Sequence, residues 1–299
     1  MGTPDFAVAS LQALVENDFS VVAVVTAPDK PAGRGLQLSQ SAVKQYALKK
    51  NIPVLQPEKL KSPEFLEQLK SFHADIQVVV AFRMLPEIVW AMPPKGTINL
   101  HGSLLPQYRG AAPINRAIMN GETVTGVTTF KLQQEIDTGN ILLAEEIPIG
   151  PAENAGELHD RMKVIGARLV VETIRGLMND DLPGKPQYIT EPAALKSAPK
   201  IFAADCEIQW ENPVAKIYNQ IRGLSPSPGA FTTFKEKNLK IFRAKFDLNN
   251  HPGKIGEMET DGKSWLRYSA ADGYIYVEEM QLEGKKRMQT ADFLRGYRN

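Results

Sequence analysis

Two short stretches in the first half of the chain decide the fold: residues 76–81 read IQVVVA, and residues 96–101 read GTINLH. Each is an apolar, β-branched run between turn residues, which is typical of a buried strand. Similar runs occur at residues 20–26, 126–132 and 141–149, and helical patterns separate the earlier ones. Strands that alternate with helices predict an α/β domain with a mostly parallel sheet and helices on both faces.

The chain changes character after residue 182. Residues 183–203 are rich in proline and lose all periodicity, so we interpret them as a linker. Beyond them, short strand-like runs separated by Gly, Asn and Asp predict a small all-β, OB-like barrel. We therefore expect a first domain at 1–182, the linker at 183–203 and a second domain at 204–299.

Composition narrows the classes of protein that remain. The chain has 299 residues, a net charge of +1 and a single cysteine, Cys206. A disulfide within the chain and a cysteine-based zinc site are both excluded, which favours a reducing, cytoplasmic compartment. No apolar run reaches the roughly 18 residues that a membrane-spanning helix needs, so we expect no membrane partner. The histidines are too scattered to indicate a metal site.

The residues suited to catalysis lie at the end of the strand at 96–101. Asn99 and His101 alternate along it, so their side chains point to the same face. An amide can donate to a developing oxyanion, and an imidazole can move a proton near neutral pH. A structural histidine, hydrogen-bonded at the strand end, is the alternative interpretation of His101.

Asp137 is the candidate third member of this group. It follows the strand at 126–132, and the carboxyl ends of parallel strands meet at one edge of a sheet. We therefore expect its carboxylate beside His101, where it would favour the protonated imidazole. The alternative is a turn aspartate that bonds its own backbone. Because nucleophile-elbow, P-loop and dinucleotide motifs are absent, the residues indicate metal-free group transfer at a carbonyl.

A longer pattern surrounds these residues. Residues 99–114, NLHGSLLPQYRGAAPI, together with Asp137-Thr138-Gly139, resemble the core of the 10-formyltetrahydrofolate-dependent formyltransferases. The resemblance continues to both ends of the chain, at residues 1–8 (MGTPDFAV), 31–35 (PAGRG), 221–226 (IRGLSP) and 282–288 (LEGKKRM). Within this family, the sequence is most similar to the members that act on charged initiator tRNA.

This resemblance implies a fold and a reaction. The first domain would be Rossmann-like and would hold the folate, and the C-terminal barrel would help to hold the tRNA. The reaction would move a formyl group from 10-formyltetrahydrofolate to the amino group of methionine on initiator tRNA, for translation initiation. Asn99, His101 and Asp137 would be the catalytic residues, no metal would be needed, and the protein would be a monomer.

The resemblance also implies two sets of binding residues. Those on the folate side are Ser103, Leu104, Leu105 and Pro106, with the strand end Phe82, Arg83, Met84 and Leu85. Those on the tRNA side are Arg34, with Lys30 as a second candidate in the same loop, and the cluster Lys285, Lys286 and Arg287. The sequence departs from the family pattern at Gln107, where a basic residue is usual, and at Phe82-Arg83, where an aromatic–glycine pair is commoner.

Several other functions share the Asn–His–Asp core. Related folate-dependent enzymes formylate an amino-sugar nucleotide or glycinamide ribonucleotide, and one hydrolyses the formyl group; we keep the sugar-nucleotide enzyme as the main alternative. A non-catalytic RNA-binding protein is a further alternative, which the complete Asn99–His101–Asp137 set disfavours. A basic cluster such as that at 285–287 is by itself usually a solvated turn, and its position inside a longer matching segment is what favours the tRNA interpretation.

Overall fold

The computed structural model describes residues 1–32, 37–189, 192–249 and 253–296. Helices and strands are interspersed through the first 178 residues. They are α1 (Asp5–Glu16), β1 (Val24–Val25), β2 (Lys30–Ala32), β3 (Gln37–Ser39), α2 (Ala42–Lys49), β4 (Val54–Leu55), α3 (Pro63–Ser71), β5 (Gln77–Val80), α4 (Glu87–Trp90), β6 (Thr97–His101), β7 (Arg109–Gly110), α5 (Pro113–Met119), β8 (Val124–Lys131), β9 (Ile141–Pro148) and α6 (Ala155–Met178).

The central sheet of this half has the order β5-β6-β8-β9. Strands β5 and β6 run parallel, with Val79 opposite Asn99. Strand β8 runs antiparallel to β6, with Thr128 opposite His101, so the sheet is more mixed than the alternating pattern predicts. The other parallel pair, β1 with β4, joins Val24 to Val54. The predicted α/β, Rossmann-like class of this half is confirmed.

The predicted strand at 20–26 is shorter in the structure than in the sequence pattern. Among the described residues, Val24 and Val25 are the part of this run that pairs with another strand, the two-residue β4. The amide of Gly2 donates to the carbonyl of Val25 (3.0 Å), and that of Val80 donates to the carbonyl of Met1 (2.9 Å). An apolar cavity of about 380 Å³ lies beside these residues, lined by 19–25 and 72–78 among others.

Serine caps begin two of the surface helices. The hydroxyl of Ser41 accepts from the amide of Lys44 (3.0 Å) at the start of α2. The hydroxyl of Ser62 accepts from the amide of Phe65 (3.4 Å), with Pro63 in the first turn of α3. Both contacts satisfy amides that a helix start leaves without partners.

The rest of the chain is mainly antiparallel β structure. Its elements are β10 (Ser197–Ala198), α7 (Ala203–Cys206), α8 (Val214–Gly223), β11 (Ala230–Phe234), β12 (Lys237–Leu248), β13 (Met258–Thr260), β14 (Leu266–Ala270), β15 (Gly273–Leu282), β16 (Met288–Gln289) and α9 (Thr290–Gly296), after a short 3-10 turn at Pro192–Ala194. The sheet has the order β11-β12-β15-β14-β13, with β16 on β15. Its core includes Ile217, Ile221, Leu239 and Ile241, all nearly or fully buried. The predicted small β domain is confirmed as an antiparallel half-barrel.

The chain divides into two compact units. The first consists of Met1–Gly110, Gly126–Ile147 and His159–Ser197, and the second of Ala111–Thr125, Pro148–Leu158 and Ala198–Asn299. The predicted boundaries at 182 and 203 stay a prediction. Among the described residues, no helix has the length and apolar character that crossing a membrane requires.

Three side-chain contacts join the separate stretches of the second unit to one another. The amide of Asn115 donates to the carbonyl of Gly223 (2.7 Å). Arg116 pairs with Asp205 (3.2 Å), and Arg243 pairs with Glu157 (2.6 Å). Helix α5 therefore belongs structurally with α8, although about a hundred residues of sequence separate them.

Candidate active site

Strand β6 presents two of the predicted catalytic side chains. Asn99 is half-buried, whereas His101 is 7% exposed, and both lie on one face of the strand because side chains alternate. The side-chain amide of Asn99 makes no hydrogen bond to another residue in the part of the chain that the structure describes. It is therefore free to donate to a bound molecule.

The imidazole of His101 is oriented by one backbone carbonyl. Its Nε2 lies 2.8 Å from the carbonyl oxygen of Tyr108. A carbonyl can only accept, so Nε2 carries the proton and the neutral ring has its lone pair on Nδ1. Nδ1 is 3.9 Å from Oδ2 of Asp137. The nitrogen that can gain or lose a proton therefore faces the carboxylate.

Asp137 is held by a backbone amide of another segment. The N–H of Gly110 donates to its Oδ2 (3.0 Å), and the residue is 15% exposed at the side chain. Its backbone has φ 54°, in the left-handed region that Asp and Asn tolerate better than most residues. The carboxylate contacts Gly110 and faces His101, which differs from the alternative of a turn aspartate bonding its own backbone.

His101 and Asp137 do not come together at the carboxyl ends of parallel strands, as the sequence pattern predicts, because β8 is antiparallel to β6. The chain leaves β8 beside the start of β6, where the amide of Leu132 donates to the carbonyl of Thr97 (2.8 Å). The loop between β8 and β9 then folds back towards His101. The length of that loop, and not the strand direction, brings the carboxylate to the imidazole.

The hydroxyl of Thr128 binds the backbone of the predicted folate-side loop, residues 103–106, which follows β6. The hydroxyl of Thr128 donates to the carbonyl of Ser103 (2.7 Å) and accepts from the amide of Leu105 (3.2 Å). The hydroxyl of Ser103 donates in turn to the carbonyl of Gln107 (2.6 Å). Ser103 and Thr128 are fully buried, so the backbone of Ser103 to Pro106 is fixed by buried hydrogen bonds.

The second predicted folate segment, residues 82–85, is divided between core and surface. Leu85 is buried in the apolar core beside Val79 and Val89, and Phe82 packs partly against the same core. Met84 is 72% exposed. Arg83 donates to the carbonyls of Pro57 and Glu58. Arg83 and Met84 are thus the exposed side chains of this segment, and the guanidinium of Arg83 already bonds two carbonyls.

The predicted tRNA residues lie in different places. Arg34 is outside the described residues, and Lys30 is exposed at the start of β2. Lys285 and Lys286 are exposed in the turn before β16. Arg287 pairs with Glu279, and its guanidinium lies 4.3 Å from the ring of Phe242. Two lysines of this cluster therefore face solvent, while the arginine is engaged with its own sheet.

One cluster has the composition of a metal site and belongs to the first unit. Asp5, His159 and Asp160 each offer a ligand atom to a common point. The ammonium of Lys163 lies 3.2 Å from Asp5 and 2.7 Å from Asp160, and its hydrogen bond lowers the pKa of the Asp160 carboxyl. The lysine supplies the positive charge there, so the cluster is an exposed ion-pair network.

Sequence reasoning missed two residues that touch the site. Thr128 had no distinguishing signal, because a threonine in a strand is ordinary. Gln187 lies in the predicted linker, yet its amide contacts the Asp137 turn: it donates to the carbonyls of Asp137 (2.8 Å) and Gly139 (2.9 Å). Part of the predicted linker therefore belongs to the site.

Comparison with known proteins shows the family of this chain. The formyl transferase family matches residues 1–174, and its C-terminal domain matches residues 200–298. The chain belongs to the formyl transferase family.

Individual relatives and a solved structure show which members of the family the chain is similar to. The chain is 49% identical over 304 residues to the methionyl-tRNA formyltransferase of Bacteroides thetaiotaomicron, covering 100% of this chain and 94% of the relative. It is 51% identical to that of Parabacteroides distasonis, with the same coverage. Its fold is similar to that of the sugar 3N-formyl transferase WlaRD (TM-score 0.68, 22% identity, 95% of this chain and 97% of that one).

Proposed function

We propose that this protein transfers a formyl group from 10-formyltetrahydrofolate to the amino group of methionine on charged initiator tRNA. The observation that carries the proposal is identity of about half over the whole chain to relatives named methionyl-tRNA formyltransferase. That identity includes the C-terminal unit as well as the candidate active site. It favours the tRNA reaction over the sugar-nucleotide reaction, since the sugar 3N-formyl transferase WlaRD is 22% identical and shows similarity of fold alone.

The chemistry is an acyl transfer between two nitrogens. The methionine amine attacks the formyl carbon, forming a new C–N bond and placing negative charge on the formyl oxygen. The bond from that carbon to N10 of the folate then breaks. The attacking amine loses a proton and N10 gains one, so the reaction needs an oxyanion donor and a route for one proton.

The described site can supply both. The free amide of Asn99 is suited to donate to the oxyanion. The protonated ring of His101 would present a second donor from Nδ1, and each such donor contributes on the order of 3 kcal/mol to lowering a barrier. The carboxylate of Asp137 faces Nδ1 of His101 across 3.9 Å and would hold a water that carries the proton to N10.

The remaining assignments belong to the same proposal. Ser103 to Pro106 and the segment Phe82 to Leu85 would contact the folate, with Arg83 and Met84 as the exposed side chains of that segment. Lys30 and Arg34 of the first long loop, with the cluster at 285–287, would contact tRNA phosphates. A cytoplasmic monomer, with residues 1–182 catalytic and 204–299 binding tRNA, completes it.

The test offers one donor and several acceptors. Purified protein and 10-formyltetrahydrofolate are incubated with methionyl initiator tRNA, with an amino-sugar nucleotide, with glycinamide ribonucleotide, or with water alone. We expect formyl-methionyl-tRNA as the dominant product, with elongator methionyl-tRNA as the specificity control. His101→Ala, purified in the same way, controls for contaminating activity. A formylated sugar nucleotide or free formate as the main product would overturn the tRNA assignment while leaving the family intact.

A further inference from the structure

Gln187 ties the turn that carries Asp137 to the strand that carries Arg109. Its Nε2 donates to the carbonyls of Asp137 (2.8 Å) and Gly139 (2.9 Å). Its Oε1 accepts from Arg109 through Nε (3.2 Å) and Nη2 (2.5 Å). The neighbour of Arg109, Gly110, donates its amide to the carboxylate of Asp137 (3.0 Å). The backbone and the side chain of Asp137 are thus both held from β7.

The partners leave one orientation for the Gln187 amide. Two carbonyls can only accept and a guanidinium can only donate, so NH₂ and C=O cannot exchange places. A charged donor on Oε1 also polarises the amide, which strengthens its two bonds to the carbonyls. Glutamate would lack the donors, a basic residue would lack the acceptor, and leucine would lack both.

The backbone before Gln187 is anchored independently. Lys185 and Ile141 exchange hydrogen bonds, with the amide of each donating to the carbonyl of the other at 2.7 and 2.8 Å. Gly184, at φ +79°, makes the turn that allows this pairing. Because Ile141 begins β9, the glutamine is fixed against the strand that follows the Asp137 loop. Its amide can therefore hold that loop in place.

We propose that Gln187 is a positioning residue for formyl transfer, which acts by holding the left-handed turn of Asp137 so that its carboxylate faces Nδ1 of His101. This rests on the proposed function for its kinetic consequence, but not for the contact itself. Asp137, at φ 54° in a loop between β8 and β9, is not held in this conformation by a helix or a strand. Removing the Gln187 amide should misplace the carboxylate of Asp137. Misplacements of about 1 Å can cost roughly a hundredfold in rate.

The main test replaces the amide without opening the fold elsewhere. We expect Gln187→Leu and Gln187→Glu to lower kcat about tenfold to a hundredfold, with the KM for folate and for tRNA changed much less. Gln107→Leu is the matched control. Gln107 also bridges two segments, donating to the carbonyl of Ala194 and accepting from the amide of Lys196, without contacting the Asp137 turn. The control should keep kcat within a few-fold of the unchanged protein.

A double-mutant cycle distinguishes positioning from general support of the fold. In an Asp137→Asn background the carboxylate is already gone, so Gln187→Leu should add little further loss. Equal losses in both backgrounds, or a loss equal to that of Gln107→Leu, would overturn the proposal.

A measurement that needs no activity separates the two proposals. Hydrogen exchange of the Gly110 amide reports its bond to Asp137, and we expect Gln187→Leu to speed it at least tenfold while Gln107→Leu does not. If the Gly110 amide exchanges at an unchanged rate in Gln187→Leu, Gln187 does not position Asp137, whatever the reaction is. If that amide exchanges faster in a protein that formylates no acceptor, the positioning role is supported and the proposed function is contradicted.

Discussion

Two stretches meet at the candidate active site, and they differ in how much their sequences disclose. Residues 99–110 contain the side chains suited to catalysis, in a pattern that identifies the family. Residues 184–197 contain few distinctive side chains, yet Gln187 holds Asp137, and the carbonyl of Lys196 accepts from the amide of Tyr108 (2.6 Å). The second stretch holds the first through the side chain of Gln187, which bonds Arg109, and through the backbone of Lys196.

The difference follows from what each stretch must provide. Chemistry at a carbonyl demands particular residue types, so Asn99 and His101 are recognisable from their strand and spacing. A holding contact needs only a hydrogen-bonding amide or carbonyl, which every backbone and a side chain as common as glutamine provide. Residues that hold a site can therefore look like a linker.

The largest expected effect concerns the chemical side of this comparison. The variants Asn99→Ala, His101→Ala and Asp137→Asn should each lower the rate of single-turnover formylation roughly 10²–10³-fold, because each removes a donor or its charged partner. Asparagine suits position 137 because it tolerates φ 54°. Rapid-quench measurement with saturating folate reports the effect directly.

Equilibrium folate binding is the control for these three variants. Its dissociation constant should change only a few-fold, because the side chains act on the reacting atoms. Near-normal turnover in all three variants would mean that Asn99, His101 and Asp137 are not the catalytic residues, and the comparison of the two stretches would lose its basis.

A second prediction tests holding by a residue outside both stretches. Thr128→Val removes the hydroxyl that bonds Ser103 and Leu105, so a buried amide and carbonyl lose their partner. We expect a loss of about 1–3 kcal/mol in the free energy of unfolding. We also expect a several-fold rise in the KM for folate, measured alongside denaturant unfolding.

Thr129→Val is the matched control for Thr128→Val. Thr129 is equally buried, and its hydroxyl bonds Thr173 (2.7 Å) and accepts from the amide of Leu143 (3.2 Å), away from the folate-side loop. It should lose similar stability with an unchanged KM. An equal rise of KM in both variants would mean that Thr128 supports the sheet and not the loop.

A third prediction concerns the basic cluster at 285–287 in the second unit. The sequence shows the cluster but not whether it contacts tRNA. Lys285→Ala and Lys286→Ala should each weaken tRNA binding modestly and reduce the slope of log affinity against log salt by about 1. Filter binding over a range of salt measures this slope. Lys61→Ala, an exposed lysine of the first unit, should leave it unchanged. If the slope stays the same in all three variants, the cluster is a solvated turn.

The smallest expected effect concerns Cys206. Burial, followed by the charge of Asp205, raises the pKa of its thiol, and the residue is 4% exposed. Less thiolate is therefore present at any pH below that raised value than in an ordinary cysteine. A disulfide reagent at pH 8 should react far more slowly with the native protein than with the unfolded chain, and Cys206→Ala should keep full activity. Rapid native labelling would mean that α7 opens readily.

The extent of sequence-based prediction follows from the same physical distinction. The buried strands at 76–81 and 96–101 were predicted because β-branched runs between turns have few other uses. The direction of β8 was not, because an isolated strand pattern carries no information about its neighbour's direction. The nearness of Asp137 to His101 was predicted through an incorrect route, and Gln187 was missed because a single amide in an aperiodic segment has no pattern.

The interleaving of the two units has a consequence for how this architecture can be cut or exchanged. The chain passes between the units at residues 110, 125, 147, 158 and 197. A gene fragment starting at residue 198 would therefore lack α5, with its Asn115 and Arg116 contacts, and Glu157, the partner of Arg243. Recombination at a single junction would therefore not transfer the whole second unit. A working chimera must exchange residues 111–125, 148–158 and 198–299 together.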